Sequence, residues 1–166
     1  MQLKEFDIIL KKNSKNPISK IIQKVTKDKY SHSSIYIGNY HIIESTPTGV
    51  KVNNFNSSLS EFDLYRYAKP LNPTEKQRIV EFLQKSINTK YDFIEVFLQL
   101  FGIKKRQDNK YICISLLMEA FKYAGVEIDE WKVGFKQVSD SKYFKQIKII
   151  VKIFILNLAI LFHKNT

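Results

Sequence analysis

Four short strand-like runs follow one another closely in the first half of the chain, and this succession restricts the fold more than any other feature. The runs are Ser33–Ile37, Tyr40–Glu44, Val50–Val52 and Phe62–Tyr67. They are rich in β-branched and aromatic residues, which favour a pleated sheet. Gly38-Asn39 lies between the first two runs and is typical of a hairpin turn. The pattern therefore predicts a meander of antiparallel strands.

Helical patterns flank this meander on both sides. A first strand is predicted at Phe6–Leu10, and Asn16-Pro17 then combines a capping residue with a proline suited to the first helical position. Asn72-Pro73 repeats this start signal. Ile112–Ala124 has apolar residues at helical spacing and ends before Gly125, a residue typical of helix ends. We therefore predict an α+β fold, in which a small antiparallel β-sheet or barrel packs against helices.

The length of 166 residues suits one folded domain, which we place at residues 1–146. An apolar helix is predicted at residues 147–166, and three interpretations of it stay open. It packs on the core, lies in a membrane surface or forms a short anchor. Its apolar part is about a turn shorter than the ~20 residues of a comfortable membrane span. Lys148 and Lys152 near its start can snorkel towards water.

Charge and cysteine content narrow the range of functions. A single cysteine excludes an intrachain disulfide and a zinc site of several cysteines. Met1–Leu10 carries no secretory signal, which favours a cytoplasmic protein, peripheral on the membrane if the apolar C-terminus binds lipid. The formal charge of +11 favours an anionic partner, although the lysines also serve simply to solvate the surface. Nucleic-acid binding is not expected, because no reader motif accompanies the charge.

Cys113 is the first candidate for chemistry, because it is the only thiol and lies in the first turn of a predicted helix. Unpaired N–H groups and the positive end of the helix dipole favour the thiolate, which is the reactive form. The same N–H groups can bind an oxyanion. The competing interpretation is that Cys113 is a small buried apolar residue.

His32 begins the strand Ser33–Ile37 and is the candidate base for this thiol. His41 and His163 compete for the role, but neither position is suggestive. Glu44 ends the next strand and is placed to orient an imidazole through its second nitrogen. A strict two-residue loop would put His32 and Glu44 on opposite faces of the sheet. The triad hypothesis therefore predicts an odd-numbered loop or a bulge in this hairpin.

The stretch from Tyr30 to Gly38, Tyr-Ser-His-Ser-Ser-Ile-Tyr-Ile-Gly, resembles the histidine strand of NlpC-type papain-like hydrolases. Glu44 follows His32 by twelve positions, at the place of the third triad member in that family. Cys113 comes after both residues, and this order resembles the circularly permuted branch. That branch comprises the YiiX-like enzymes and their relatives similar to lecithin–retinol acyltransferase.

The resemblance implies a permuted papain-like fold in which Cys113 attacks a carbonyl, His32 acts as base and Glu44 orients His32. It also implies that Tyr91, in a Tyr-Asp pair upstream of the cysteine, supports the oxyanion or the substrate. The implied substrates are peptide or peptidoglycan amides, or N-acyl compounds, with no metal or cofactor. Two alternatives stay open: a membrane-associated lipid acyltransferase or thioesterase with the same triad, and a degenerate module that only binds.

The chain departs from the family pattern at two places. Phe6-Asp7 stands where the family often has Gly-Asp. Ile114-Ser115-Leu116 follows the cysteine where the family often has Ser-Glu-Leu. The second departure concerns the substrate and leaves the three triad positions intact.

Overall fold

The computed structural model describes residues 2–12, 17–55, 61–95, 109–128 and 134–148. Its strands, in chain order, are β1 (Ile8–Lys12), β2 (Tyr30–Gly38), β3 (His41–Thr46), β4 (Gly49–Asn54), β5 (Phe62–Tyr67), β6 (Lys90–Tyr91), β7 (Lys110–Tyr111) and β8 (Phe144–Ile147). Its helices are α1 (Pro17–Thr26), α2 (Pro73–Ser86), α3 (Cys113–Tyr123) and α4 (Lys136–Ser139).

Six of these strands form one sheet in the order β4-β3-β2-β1-β5-β8, and every neighbouring pair is antiparallel. β6 and β7 form a separate parallel pair. The predicted α+β architecture with an antiparallel meander is confirmed. The strand predicted at Phe6–Leu10 begins two residues later, at Ile8, whereas Phe62–Tyr67 has the predicted bounds.

The start of α2 follows directly from its sequence. The Asn72 side chain accepts a hydrogen bond from Glu75 N at 2.9 Å, and the Glu75 side chain accepts one from Asn72 N at 2.7 Å. Pro73 occupies the first helical position, where its missing N–H is not needed. This reciprocal capping stabilises a helix end by about 1 kcal/mol or more.

The core lies between one face of the sheet and α3, which packs against β2 and β3 and is covered by α2. Fully buried aliphatic and aromatic residues fill it, and their alternation along the strands follows the two-residue period of a sheet. They include Ile8, Leu10, Ile35, Leu116, Leu117 and Phe121. Each contributes about 1.5–3 kcal/mol by leaving water. This packing holds the start of α3 beside the two strands that carry His32 and Glu44.

The β2–β3 turn lies one residue later than predicted. Asn39 and Tyr40 form it, with φ of 47° and 59°, and Gly38 before them has a φ of 94°. Positive φ is easy for glycine and tolerated by asparagine, whose short side chain bonds locally. Gly38 therefore ends β2 opposite His41, and the register of the pair shifts between Tyr36 and Gly38.

This shift is the bulge that the triad hypothesis requires. Ile35 pairs with Ile43, and Tyr36 pairs with Ile42. Continued along the two strands, this register places His32 and Glu44 on the same face. The predicted irregularity of the hairpin is confirmed.

The C-terminal part of the described chain differs from the prediction. No element is predicted between Gly125 and residue 147, yet α4 and β8 lie there, and β8 pairs with β5. Ile147 is the last residue of β8, opposite Leu64, so the predicted apolar helix does not begin there. A short strand lacks a clear periodic signal, and pairing with β5 and the packing of Phe144 against Tyr67 and Phe121 stabilise it. Residues 149–166 lie outside the described residues.

Over the described ranges, none of the helices is long and apolar enough to cross a membrane.

Candidate active site

His32 and Glu44 are joined directly across β2 and β3. His32 Nε2 lies 2.5 Å from Glu44 Oε2. The side chain of His32 is 28% exposed and that of Glu44 is 15% exposed, so both lie partly shielded at the edge of the core. A carboxylate on Nε2 fixes the orientation of the ring and leaves Nδ1 for a second partner.

Asn53 on β4 holds the other oxygen of Glu44, and sequence reasoning missed it. Asn53 Nδ2 donates to Glu44 Oε1 at 2.8 Å. Burial by itself raises the pKa of Glu44, but the hydrogen bond and charge of His32, followed by the Asn53 amide, lower it overall. The carboxylate is therefore charged when it faces the imidazole. Only the pairing of β3 with β4 brings Asn53 to this position.

Cys113 is the first residue of α3. Ile112 before it has an extended backbone, and Leu116 N donates to Ile112 O at 3.0 Å, which closes the first helical turn. The Ile112 side chain cannot cap the N–H groups of this turn. Those N–H groups and the positive end of the helix dipole thus act on the thiol. Cys113 is 6% exposed, so it is both shielded and next to the surface.

The Cys113 thiol lies close enough to the His32 imidazole for each group to shift the pKa of the other. Burial by itself lowers the pKa of His32, but the thiolate charge, its hydrogen bond and then Glu44 raise it above its usual value. Burial likewise raises the pKa of Cys113, but the charge and hydrogen bond of His32 lower it overall. These opposite shifts favour a thiolate–imidazolium pair. Because Glu44 holds Nε2, the nitrogen that faces the thiol is Nδ1.

Ser33 is a second residue that sequence reasoning missed. Its backbone hydrogen bond and its side chain both lower the pKa of Cys113, after the larger effects of burial and His32. The Ser33 hydroxyl is buried beside the sulfur, but it makes no hydrogen bond of standard geometry within the described part of the chain. Its position next to His32 is the only signal in the sequence that places it here.

Tyr91 also lies near the thiol, because β6 pairs with β7 immediately before α3. Tyr91 is opposite Tyr111, two residues before Cys113, and Ser45 Oγ donates to Tyr111 O at 2.6 Å. Burial, the charge of Cys113 and then the charges of Glu95 and Asp92 raise the pKa of Tyr91. Its hydroxyl therefore stays protonated at neutral pH and is available as a hydrogen-bond donor.

The competing histidines are not part of this arrangement. His41 is exposed at the start of β3, opposite Gly38, at the other end of β2 from His32. His163 lies outside the described residues. Over the same part of the chain, no group of three or more His, Cys, Asp and Glu residues is arranged to hold a metal ion.

An apolar cavity of about 220 Å³ lies between α2 and the strands, away from the thiol. Its lining includes Phe6, Ile37, Val80 and Ile87. Ile37 is five residues from His32 along β2, which corresponds to about 16 Å of strand. Cys113, His32 and Glu44 are not among the residues that line this cavity.

A thiol at a helix N-terminus, paired with a histidine on an antiparallel sheet, defines the class of papain-like cysteine hydrolases. The histidine precedes the cysteine in this chain. One family model matches residues 2–151, and its description is a permuted papain-like amidase enzyme, YaeF/YiiX, C92 family. The chain belongs to this family and is a cysteine hydrolase of the amidase type. The predicted resemblance to the permuted, YiiX-like branch is confirmed.

Among solved structures, the chain is similar to the crystal structure of the metalloprotein yiiX from Escherichia coli O157:H7. The TM-score is 0.57 at 20% identity, and the match covers 75% of this chain and 67% of the other. At this identity the similarity shows the fold. A search of curated proteins gave no match.

Proposed function

We propose that the protein hydrolyses an amide bond, in a peptide, a peptidoglycan-type or an N-acyl substrate, through Cys113, His32 and Glu44. The observation that carries this proposal is the hydrogen bond between the His32 imidazole and the Glu44 carboxylate, with the Cys113 thiol close to the same imidazole. Each member has the electrostatic environment that its role needs, because the thiol is more acidic and the imidazole more basic than usual.

The reaction has two steps. The Cys113 thiolate attacks the amide carbonyl, a C–S bond forms, and the carbonyl electrons move onto oxygen as an oxyanion. The oxyanion collapses, the C–N bond breaks, and the His32 imidazolium gives its proton to the leaving amine. Neutral His32 then removes a proton from water, which attacks the thioester. The second oxyanion collapses, the C–S bond breaks with its electron pair on sulfur, and the carboxylic acid leaves. The regenerated thiolate and the protonated His32 restore the resting ion pair.

The oxyanion needs donors at the point where its charge develops. The first-turn N–H groups of α3 are suited to this role, because the cap residue Ile112 has no polar side chain. The Tyr91 hydroxyl is a further donor, since its raised pKa keeps the proton in place. Glu44 stays ionised throughout and stabilises the imidazolium.

Thiol alkylation of the full chain tests the triad. Iodoacetamide should modify Cys113 faster than free cysteine at pH 6–7, because the ion pair supplies thiolate below the ordinary thiol pKa of about 8.5. His32→Ala should remove this acceleration. His41→Ala is the matched control and should leave the rate unchanged, because His41 is exposed at the other end of β2. A thiol that reacts like free cysteine while His32 is intact would contradict the triad and favour a module that only binds.

A second candidate is an acyl-lipid substrate at a membrane, and the direction of β8 favours it. Ile147 pairs with Leu64, Leu64 pairs with Ile9, and Ile9 pairs with Ser34. Ser34 is two residues from His32, and β8 runs towards the end of the sheet at which His32 lies. The chain therefore leaves β8 at the level of the site, and residues 149–166 beyond it are mainly apolar in sequence.

In this second candidate, the protein is cytoplasmic and peripheral on an anionic membrane. Flotation with vesicles of phosphatidylglycerol and phosphatidylcholine tests it, with the chain ending at Lys148 as the comparison. The full chain should float, and the shorter chain should remain in the dense fraction at physiological salt. Equal flotation of both chains would exclude the C-terminal segment as the membrane contact.

A further inference from the structure

Glu95 is a buried carboxylate that the proposed reaction does not use. It is 3% exposed and lies four residues after Tyr91. Its Oε2 accepts a hydrogen bond from Ser115 Oγ at 3.0 Å, and Ser115, in the first turn of α3, is 1% exposed. Burying a charged group is costly unless its partners compensate. The contacts of Glu95 therefore indicate what it stabilises.

The Ser115 hydroxyl has a single proton and two acceptors within reach. Glu95 Oε2 lies at 3.0 Å, and Ile112 O lies at 3.2 Å. A charged acceptor forms the stronger hydrogen bond, so the proton points to Glu95. The oxygen of Ser115 is then free to accept from Ile112 N, at 3.0 Å. Glu95 thus fixes the residue that directly precedes the thiol.

The backbone of the same segment also holds Tyr91. Glu95 N donates to Asp92 Oδ1 at 2.8 Å, and Asp92 N donates to Tyr111 O at 3.3 Å. Tyr91 itself pairs with Tyr111. The segment from Tyr91 to Glu95 is therefore bound at one end to β7 and at the other end to the first turn of α3.

We infer that Glu95 is a positioning residue, which holds the first-turn N–H groups of α3 and the Tyr91 hydroxyl in place around the oxyanion formed at Cys113. This inference rests on the proposed function, because it assigns a role within the same site. The charge of Glu95, after burial and Cys113, also contributes to the raised pKa of Tyr91. Glu95 therefore acts on this donor through its charge as well as through the backbone of the segment.

Two reagents separate positioning of the oxyanion donors from reactivity of the thiol. Iodoacetamide alkylates the thiolate by direct displacement of iodide, and no oxyanion forms. With p-nitrophenyl acetate, the thiolate forms a C–S bond through a tetrahedral oxyanion, and p-nitrophenolate leaves with the C–O electron pair. Only the second reaction needs the donors. Both rates are measured on the full chain, and release of p-nitrophenolate is followed by absorbance.

Glu95→Gln should slow acylation by p-nitrophenyl acetate about tenfold, a fraction of the ~10²–10³ lost when an oxyanion donor itself is removed. Its alkylation by iodoacetamide should stay within about twofold of the parent chain. Ser115→Ala, which removes only the hydroxyl, should have the same pair of effects. The double variant should be no slower than either single variant, because both changes break one contact chain. The exposed Glu61→Gln is the matched control and should change neither rate.

The inference would be overturned if p-nitrophenyl acetate acylates the Glu95→Gln variant at a rate within about twofold of the parent chain. Equal loss of both rates would also overturn it, because a purely structural defect predicts that result. Additive effects in the double variant would show that the two residues act separately and would likewise contradict it. A different result would contradict the triad, namely a rate of Cys113 alkylation that is the same with and without His32. The two proposals can thus fail independently.

Discussion

Gly49, the first residue of β4, allows a close approach that no other residue tolerates. Its φ is +107°, and a Cβ at this position would lie 2.7 Å from Thr89 O. Val50 N donates to Thr89 O at 3.0 Å, and Asn88 N donates to Val50 O at 2.9 Å. These contacts attach the chain after α2 to β4, two residues before Tyr91. We therefore expect Gly49→Ala to affect both stability and the site.

The size of the effect follows from these distances. Alanine at positive φ costs about 1–3 kcal/mol. The Cβ must also move by about 0.7 Å to reach an ordinary contact of 3.4 Å. That movement weakens two hydrogen bonds worth about 0.5–1.5 kcal/mol each. Together these terms lower the free energy of unfolding by about 2–6 kcal/mol, and the displaced Tyr91 should slow acylation by p-nitrophenyl acetate.

Urea unfolding, followed by circular dichroism, measures this prediction against two other glycines. Gly125→Ala should cost about 1–2 kcal/mol, because its φ is +77° but its Cβ would lie 3.8 Å from the nearest atom. Gly134→Ala should be neutral within about 0.5 kcal/mol, because nothing lies within 4 Å of its Cβ. If Gly49→Ala costs no more than Gly125→Ala, the close approach to Thr89 is not present in the folded protein.

Three further predictions concern the site and its support. The rate of Cys113 alkylation should rise with pH and reach its plateau at a lower pH than that of free cysteine, because the pKa of the thiol is lowered. His32→Ala should shift that rise to higher pH, and an unshifted profile would contradict the ion pair. Asn53→Ala should lower the rate of alkylation severalfold at pH 6–7, because Glu44 loses its second hydrogen bond; an unchanged rate would exclude this positioning role. Asp7→Ala should lower the free energy of unfolding by about 3–5 kcal/mol in urea, because Arg66 loses the buried carboxylate with which it pairs. A loss below about 1 kcal/mol would refute this prediction.

The ion pair behind the last prediction also bears on the departure at Phe6-Asp7. Asp7 is fully buried, and Arg66 donates to both of its oxygens, at 2.6 and 2.7 Å. Phe6 has a φ of 68°, a conformation that suits glycine, the residue that the resemblance leads us to expect there. The aspartate thus stabilises the start of β1, and the phenylalanine adopts a backbone conformation unfavourable for its side chain.

Local sequence was enough to predict the features that depend on neighbouring residues. The cap at Asn72 and the strand at Phe62–Tyr67 follow from residues within a few positions. So does the helix predicted at Ile112–Ala124, which spans Cys113–Tyr123 in the structure. The need for an irregular hairpin also followed from the alternation of side chains along a strand. After a regular two-residue loop, His32 and Glu44 would lie on opposite faces of the sheet, so they share a face only if the register shifts. The position of the turn was wrong by one residue, because both Gly38 and Asn39 tolerate positive φ.

Contacts between segments that are distant in sequence determine the rest of the site. β6 and β7 contain two residues each, too few for a periodic signal, yet their pairing brings Tyr91 to the thiol. Asn53 reaches Glu44 only through the register of β3 and β4, and Glu95 reaches Ser115 across twenty residues of chain. Tertiary packing also determines the charge state of the site, because burial and mutual contact act in opposite directions on each pKa.

The sequence by itself thus determined the fold class, the order of histidine, glutamate and cysteine, and the helix start at which Cys113 lies. Each of these depends on residue type and on spacing along the chain. Only the tertiary structure decided which residues support the triad, because their contacts join segments that are distant in sequence. Backbone geometry and burial, which no local pattern specifies, set the distances on which the chemistry depends.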